Sequence, residues 1–244
     1  MQKPDLSGFG SFSVLRPLTG GHRAQVWLVG RGGDLFVAKS TRRTEDQLRW
    51  LAPLQAQARR AGFVVPGLIP AASGRLSVGG WTLEPFLPGT PMMRNAFWRL
   101  VPKITVFQRL AAPIGQRPGF LSLPELMFSD RGGDIDLSAL PKKLVPALRA
   151  AWAEVTHQPV CAIHGDLTPA NMIQTDTGPA LIDWDEARVD LRFLDRMALP
   201  GRSALEIRAH LAREIAVGWL YEPDHARALL QRFTPAAQAQ RPRP

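Results

Sequence analysis

The sequence predicts an α+β fold in two lobes, a small N-terminal antiparallel sheet with one helix followed by a larger, mainly helical C-terminal lobe. Three observations carry this. Short apolar runs separated by Gly-rich turns fill the first ninety residues, a Pro- and Gly-marked stretch LPGTP follows at 87–91, and helical periodicity dominates beyond it. The expected divisions are residues 1–88, residues 89–233 and a frayed tail at 234–244. Two lobes joined by such a linker imply a cleft, where a ligand pocket is expected.

In order, SFSVLRPL, AQVWLVG and DLFVAKS are strand candidates, punctuated by TGGHR and RGG. The stretch TRRTEDQLRWLAPLQAQARRAG spaces Leu48, Leu51, Leu54 and Ala58 helically, with Thr44 as N-cap and Gly62 as stop. Pro53 predicts a kink or break in its middle. Two further strands are expected around VPGLIPAA and SVGGWTLEPF. NAFWRLVPKITVFQRLAAPI reads as a helix interrupted by Pro102, and a turn-rich excursion runs from QRPGF to SDRGGDIDL. Leu144, Leu148, Ala151, Trp152 and Val155 make one helical stripe. VCAIHGD is a strand entering a loop, NMIQT and ALIDW are short strands, and ALEIRAHLAREIAVGWLY is a helix.

At 244 residues, with 45% apolar and 21% charged, the chain has enough material for a full core. Its single cysteine, Cys161, excludes an internal disulfide and any Cys-based zinc site, and the apolar run PVCAI makes it a buried small hydrophobe. The start of the chain shows no apolar signal core, and no run of about 18 apolar residues occurs, so a cytoplasmic protein away from membranes is expected. A net charge of +9 raises the alternative of a nucleic-acid-binding protein. The basic residues are dispersed, however, and no tract interleaves them with stacking aromatics, so no nucleic-acid partner is expected. The oligomeric state is not readable from the sequence.

The chemistry concentrates in HGDLTPANMIQ, residues 164–174, and ALIDWDEARVD, residues 180–190. Phosphoryl transfer needs dense negative charge positioned and neutralised, a carboxylate facing the acceptor hydroxyl, and oxygen ligands for magnesium. Asp166 can meet the hydroxyl, while Asn171 and Asp183 can ligate the metal. His164, Asp166, Leu167 and Asn171 match the kinase skeleton H-R-D-L-x-x-x-N, and IDW stands where the kinase D-F-G would. The alternative is that Asp166 and Asn171 merely cap a turn.

Together these two stretches closely resemble the aminoglycoside phosphotransferase and choline kinase-like superfamily of small-molecule kinases, relatives of the protein kinases in which glycine replaces the loop arginine. The resemblance implies a protein-kinase-like fold, ATP and Mg²⁺ as cofactors, and a small-molecule hydroxyl as acceptor. It implies further that Gly20 and Gly21 in LTGGHRAQVWLVG approach phosphate, that Lys39 in VAKS contacts the nucleotide phosphates, and that Glu45 holds Lys39. WTLEPFLPG, around Glu84 to Phe86, resembles the hinge that receives adenine by backbone hydrogen bonds. The matching order covers about residues 13–200. A catalytically silent nucleotide-binding protein is the alternative, against which the intact Lys39, Asp166, Asn171 and Asp183 argue.

His164 is expected to be a scaffold residue, and Asp190 and Asp195 helix-start and structural carboxylates rather than ligands. Asp185 and Glu186 either line the substrate side or begin a solvated helix. Phe97, Trp98 and Phe107 are expected in the core. Residues 95–158 should shape acceptor recognition, and a small hydroxylated metabolite fits this basic chain better than a polycationic aminoglycoside.

Overall fold

The structure, a computed structural model, describes residues 3–18 and 24–238. In chain order its strands are β1 (Ser13–Pro17), β2 (Val26–Arg31), β3 (Asp34–Ser40), β4 (Trp81–Pro85), β5 (Thr90–Pro91), β6 (Arg131–Gly132), β7 (Ile135–Asp136), β8 (Val160–Ile163), β9 (Met172–Thr175), β10 (Gly178–Leu181) and β11 (Arg188–Leu191). Its α-helices are α1 (Glu45–Arg49), α2 (Leu51–Arg60), α3 (Val101–Ala111), α4 (Leu123–Leu126), α5 (Val145–Ala153), α6 (Ala204–Tyr221) and α7 (Pro223–Gln238). Two compact units result: residues 1–92 with Ala170–Ile182, and Met93–Pro169 with the chain from Asp183 onward.

In the first unit β1-β2-β3-β4 form an antiparallel sheet in sequence order. Strand alternation sends Trp27, Val29, Ala38 and Leu83 to one face, where they pack with Leu6, Phe9, Ala71 and Trp81. A capping box between Thr44 and Gln47 starts α1. The break falls at Trp50, between α1 and α2, because Pro53 has no N–H for the Arg49 carbonyl and its ring would collide with it. VPGLIPAA is not a strand. The parallel bridge to Ala180 comes from Val64, just before it; within it Ile69 N–H donates to the Leu83 carbonyl at 2.7 Å, and Pro66 and Pro70 remove the donors a continuous strand would need.

A second sheet, β10-β9-β5, joins the linker to the distant 172–181 hairpin. The first unit therefore extends past residue 88 to Met92 and takes in Ala170–Ile182 as well. Gly89 permits this approach: at φ 158°, a Cβ there would lie 2.4 Å from the Gln174 carbonyl oxygen.

In the second unit β8 pairs antiparallel with β11, an element the sequence reading did not foresee. The helix α3 packs on β8, α5 on α6, and α6 on α7. Pro102 lies in the first turn of α3, where no N–H is required, so it starts that helix rather than interrupting it. Leu148, Ala151, Trp152 and Val155 are buried with Ile163, Leu191, Ile215 and Phe233 in one core. Phe97 and Phe107 are buried too, but Trp98, expected in the core, is 58% exposed. The helix α7 runs to Gln238, into the stretch expected to fray. Among the described residues no helix is long and apolar enough to cross a membrane.

Candidate active site

Strand β8 delivers the chain into the loop that begins at His164, a fully buried residue. The carboxylate of Asp195, also fully buried, accepts the backbone N–H groups of His164 (2.9 Å) and Gly165 (2.8 Å). Two charge-assisted bonds from one carboxylate fix the loop backbone just ahead of Asp166. Burial pushes the Asp195 carboxyl above its ordinary range, while His164 and the two N–H donors pull the other way. His164 Nδ1 accepts the Asp166 N–H at 3.4 Å, and its ring lies 4.6 Å from that of Trp184. Both findings agree with the scaffold roles expected for His164 and Asp195. Asp166 itself is exposed.

Gly165 explains why this loop carries glycine in place of the kinase arginine. Its φ is 88°, and a Cβ there would sit 2.2 Å from the Glu186 carbonyl oxygen and 2.8 Å from Arg188 Nη1. The space beneath the loop is already occupied by Arg188. This buried guanidinium donates to the Glu186 carbonyl (2.7 Å) and through Nε to Asp190 (2.8 Å). Burial and the neighbouring Arg213 lower its pKa, and Asp190 and Glu186 oppose them. Arg213, projecting from α6, pairs with Glu186 and Glu214. Burial works against its charge as well, but Glu186, Glu214 and Asp190 outweigh that and hold it above the ordinary range. Glu186 is thus an ion-paired residue in a turn, and no solvated helix begins at 185–186. Asp190 also accepts the N–H groups of Leu123 and Leu191, both at 2.9 Å, so it is structural as expected, though it stands in strand β11 and starts no helix.

Asp183 follows β10. The N–H of the preceding Ile182 donates to the Asn171 carbonyl at 3.1 Å, so the strand is held to the loop at that point. Among the described residues Asp183 is the one non-glycine at positive φ, 62°. A left-handed backbone costs roughly 1 kcal/mol for such a residue, and sites of this kind concentrate where function overrides local preference.

What holds the turn after Asp183 is a residue the sequence reading missed. Arg117 is fully buried, and its Nη1 donates to the carbonyls of Asp185 (2.8 Å), Ala187 (3.1 Å) and Trp184 (3.5 Å). The adjacent Gln116 completes the strap: its Nε2 donates to the Val189 carbonyl (2.9 Å) and its Oε1 accepts the Val189 N–H (3.0 Å). In the sequence, QRPGF offered only turn signals. No local pattern marks an arginine that folds inward to serve carbonyls nearly seventy positions away.

In the first unit, Lys39 stands on β3 with Val37 on the sheet face opposite the core, and Glu84 is directly across from Val37 on β4. Lys39 and Glu84 thus share a face, as the strand period predicts. Phe86 N–H donates to the Leu35 carbonyl at 3.1 Å and Pro85 has none, so neither amide is available to adenine in this arrangement. Glu45, expected to hold Lys39, directs its carboxylate elsewhere. It pairs with Arg49 at 2.7 Å and accepts the Leu76 N–H at 3.1 Å. As the first residue of α1, it meets its i+4 neighbour along the helix. Gly20 and Gly21 lie outside the described residues.

A family model described as "Phosphotransferase enzyme family" matches residues 14–230. No curated protein matches the chain in sequence. Among solved structures, a thermostable mutant of aminoglycoside phosphotransferase APH(4)-Ia in its apo form is 13% identical, with a TM-score of 0.66 and 98% of each chain covered. A choline/ethanolamine kinase family protein from Mesorhizobium loti is 16% identical, with a TM-score of 0.52, over 97% of this chain and 91% of its own. Spectinomycin phosphotransferase APH(9)-Ia, in complex with ADP and spectinomycin, is 12% identical, with a TM-score of 0.54, over 93% and 89%. At these identities the structures establish the fold, and the family match, spanning most of the chain, establishes that this protein belongs to the phosphotransferase enzyme family.

Proposed function

We propose that the chain transfers the γ-phosphate of ATP to a hydroxyl group of a small molecule. The observation that carries this reading is the loop anchored by Asp195, which presents Asp166 exposed on a rigid backbone beside the ordered turn that follows Asp183. In this reading Asp166 accepts the proton of the acceptor hydroxyl as its oxygen attacks phosphorus. Lys39 draws the nucleotide phosphates, and Glu84 lies on the same face of the sheet. The ADP in the spectinomycin phosphotransferase complex supports a nucleotide as the phosphate donor.

Asn171 and Asp183 would hold magnesium. The donor set fits that ion: both residues offer hard oxygen, and among the described residues no three of His, Cys, Asp and Glu converge as a protein-only cage. Magnesium takes just one or two such ligands and completes its shell with phosphate oxygens and water. When bound, it would neutralise charge on the phosphates being separated.

The test is a screen of hydroxylated metabolites and antibiotics for ADP formation that depends on both acceptor and Mg²⁺. The expected result is at least one acceptor phosphorylated, with turnover abolished by chelation. Nucleotide binding with no transfer to any acceptor would favour the catalytically silent alternative.

A further inference from the structure

The second unit contains an open cavity of about 750 Å³, large enough for a small-molecule ligand. Its apolar wall includes Trp98, Val101, Phe193 and Leu199. Three arginines also line it, from three separate segments: Arg99 in the 3₁₀ turn just before α3, Arg196 on the 3₁₀ turn Arg192–Arg196, and Arg202 just before α6, whose Nη1 donates to the Met197 carbonyl. The one acidic lining residue, Glu206, is engaged in the capping box of α6, accepting the N–H (2.8 Å) and hydroxyl (3.0 Å) of Ser203. Arg196 is held in place by Thr105 and Gln108, each at 3.1 Å. Trp98, 58% exposed, offers an aromatic face with the Arg99 guanidinium 5.7 Å from its ring centroid.

The Arg192–Arg196 turn ties this cavity to the catalytic loop. Phe193 and Arg196, three residues apart and hence on one side of a 3₁₀ turn, face the cavity. Asp195, between them, holds the N–H groups of His164 and Gly165, immediately ahead of Asp166. One rigid turn therefore carries both the cavity wall and the anchor of the proposed base.

We propose that this cavity is the acceptor subsite and that it takes an anionic alcohol, a hydroxyl compound bearing a carboxylate or phosphate group beside an apolar or aromatic face. The proposal rests on the phosphotransfer reading for the fate of the hydroxyl, but the anion preference is a property of the cavity alone. Three arginines against one engaged carboxylate attract an anion and repel a polycation such as an aminoglycoside. Arginine suits both oxyanion types because its planar fork binds them bidentately.

The experiment uses matched probes on the full chain. Gluconate, glucose and glucosamine form one set. Hydroxymethylbenzoate, benzyl alcohol and aminomethylbenzyl alcohol form a second, and glycerol phosphate with glycerol forms a third. Binding is measured by calorimetry without nucleotide, and transfer is measured with Mg-ATP. The expected result is that anionic members bind, and that at least one is phosphorylated with kcat/KM about tenfold or more above its neutral partner, a difference of about 1.4 kcal/mol. The carboxylate and phosphate sets separate the two anion types. In the Arg99→Gln/Arg202→Gln double variant, affinity for the anionic probe should fall by about tenfold while the neutral probe is unaffected. ATP affinity serves as the control for folding. Preference for the cationic or neutral members, no binding of any anionic member, or undiminished anion affinity in the double variant would each overturn the proposal. Anionic probes that bind without any phosphate transfer would support the anion site and count against the phosphotransfer reading.

Discussion

Asp183, the proposed magnesium ligand, holds a backbone conformation that suits glycine, at φ 62°. Two variants separate those properties. Asp183→Gly relieves the left-handed strain and Asp183→Ala does not, so the glycine variant should be more stable by about 1 kcal/mol in denaturant unfolding. Both should lose Mg²⁺-dependent nucleotide affinity to the same extent, because both lack the proposed ligand. A second residue-scale prediction concerns Cys161, whose buried thiol is pushed up from 9.0 to about 12, chiefly by burial and then by the nearby Asp195. The folded pKa is raised, so the associated stability is complete below the unfolded value of 9.0. It is lost as the pH climbs towards about 12, because the unfolded thiol ionises first. Stability measured against pH should therefore fall above pH 9 with a component of up to about 1.4 kcal/mol per pH unit that Cys161→Ala removes. Identical slopes in the two proteins would contradict this. Asp166, Asn171 and Asp183 could be proposed from the sequence because each falls within one of two short contiguous motifs. Glu45 misled because its position at a helix start admits several partners, and the nearest is Arg49 one turn along.

At the scale of elements, the strap of Gln116 and Arg117 ties a distant segment to the turn after Asp183. Arg117 positions the turn after Asp183 through three carbonyls. Arg117→Met should leave those acceptors without their donor and raise the Mg²⁺ concentration for half-maximal turnover by about tenfold to a hundredfold. Arg117→Lys keeps the charge and should recover part of that loss, since one ammonium cannot serve three carbonyls with the same geometry. An unchanged Mg²⁺ dependence in both would reduce Arg117 to a packing residue. Legibility among the elements follows how local their determinants are. The helix α6 was readable because Ser203 and Glu206 cap it and its apolar spacing is sustained. Strand β11 was not, because Arg188 and Asp190 look like surface residues until their mutual pairing and that with Glu186 are seen. VPGLIPAA carried strand-like composition, but its prolines withhold the donors of a ladder.

At the scale of the molecule, the α+β composition and the change from sheet to helix near residue 90 were visible in turn signals and periodicity. The true division was not. Residues 170–182 join the first unit through β5–β9 pairing and the bridge from Val64 to Ala180, contacts between segments about eighty or more positions apart that no local pattern encodes. Net charge was likewise a whole-chain number with a local meaning: the +9 total becomes informative where three arginines gather around one cavity. The account as a whole depends on Asp166 acting on the acceptor hydroxyl while other residues bind the nucleotide. The direct measurement is a side-by-side comparison of wild type and Asp166→Asn for ATP affinity and for transfer of radiolabelled γ-phosphate to whichever acceptor the screen identifies. The predicted result is a fall in transfer of at least about a hundredfold with ATP affinity within about twofold of wild type. Undiminished transfer in Asp166→Asn would contradict it.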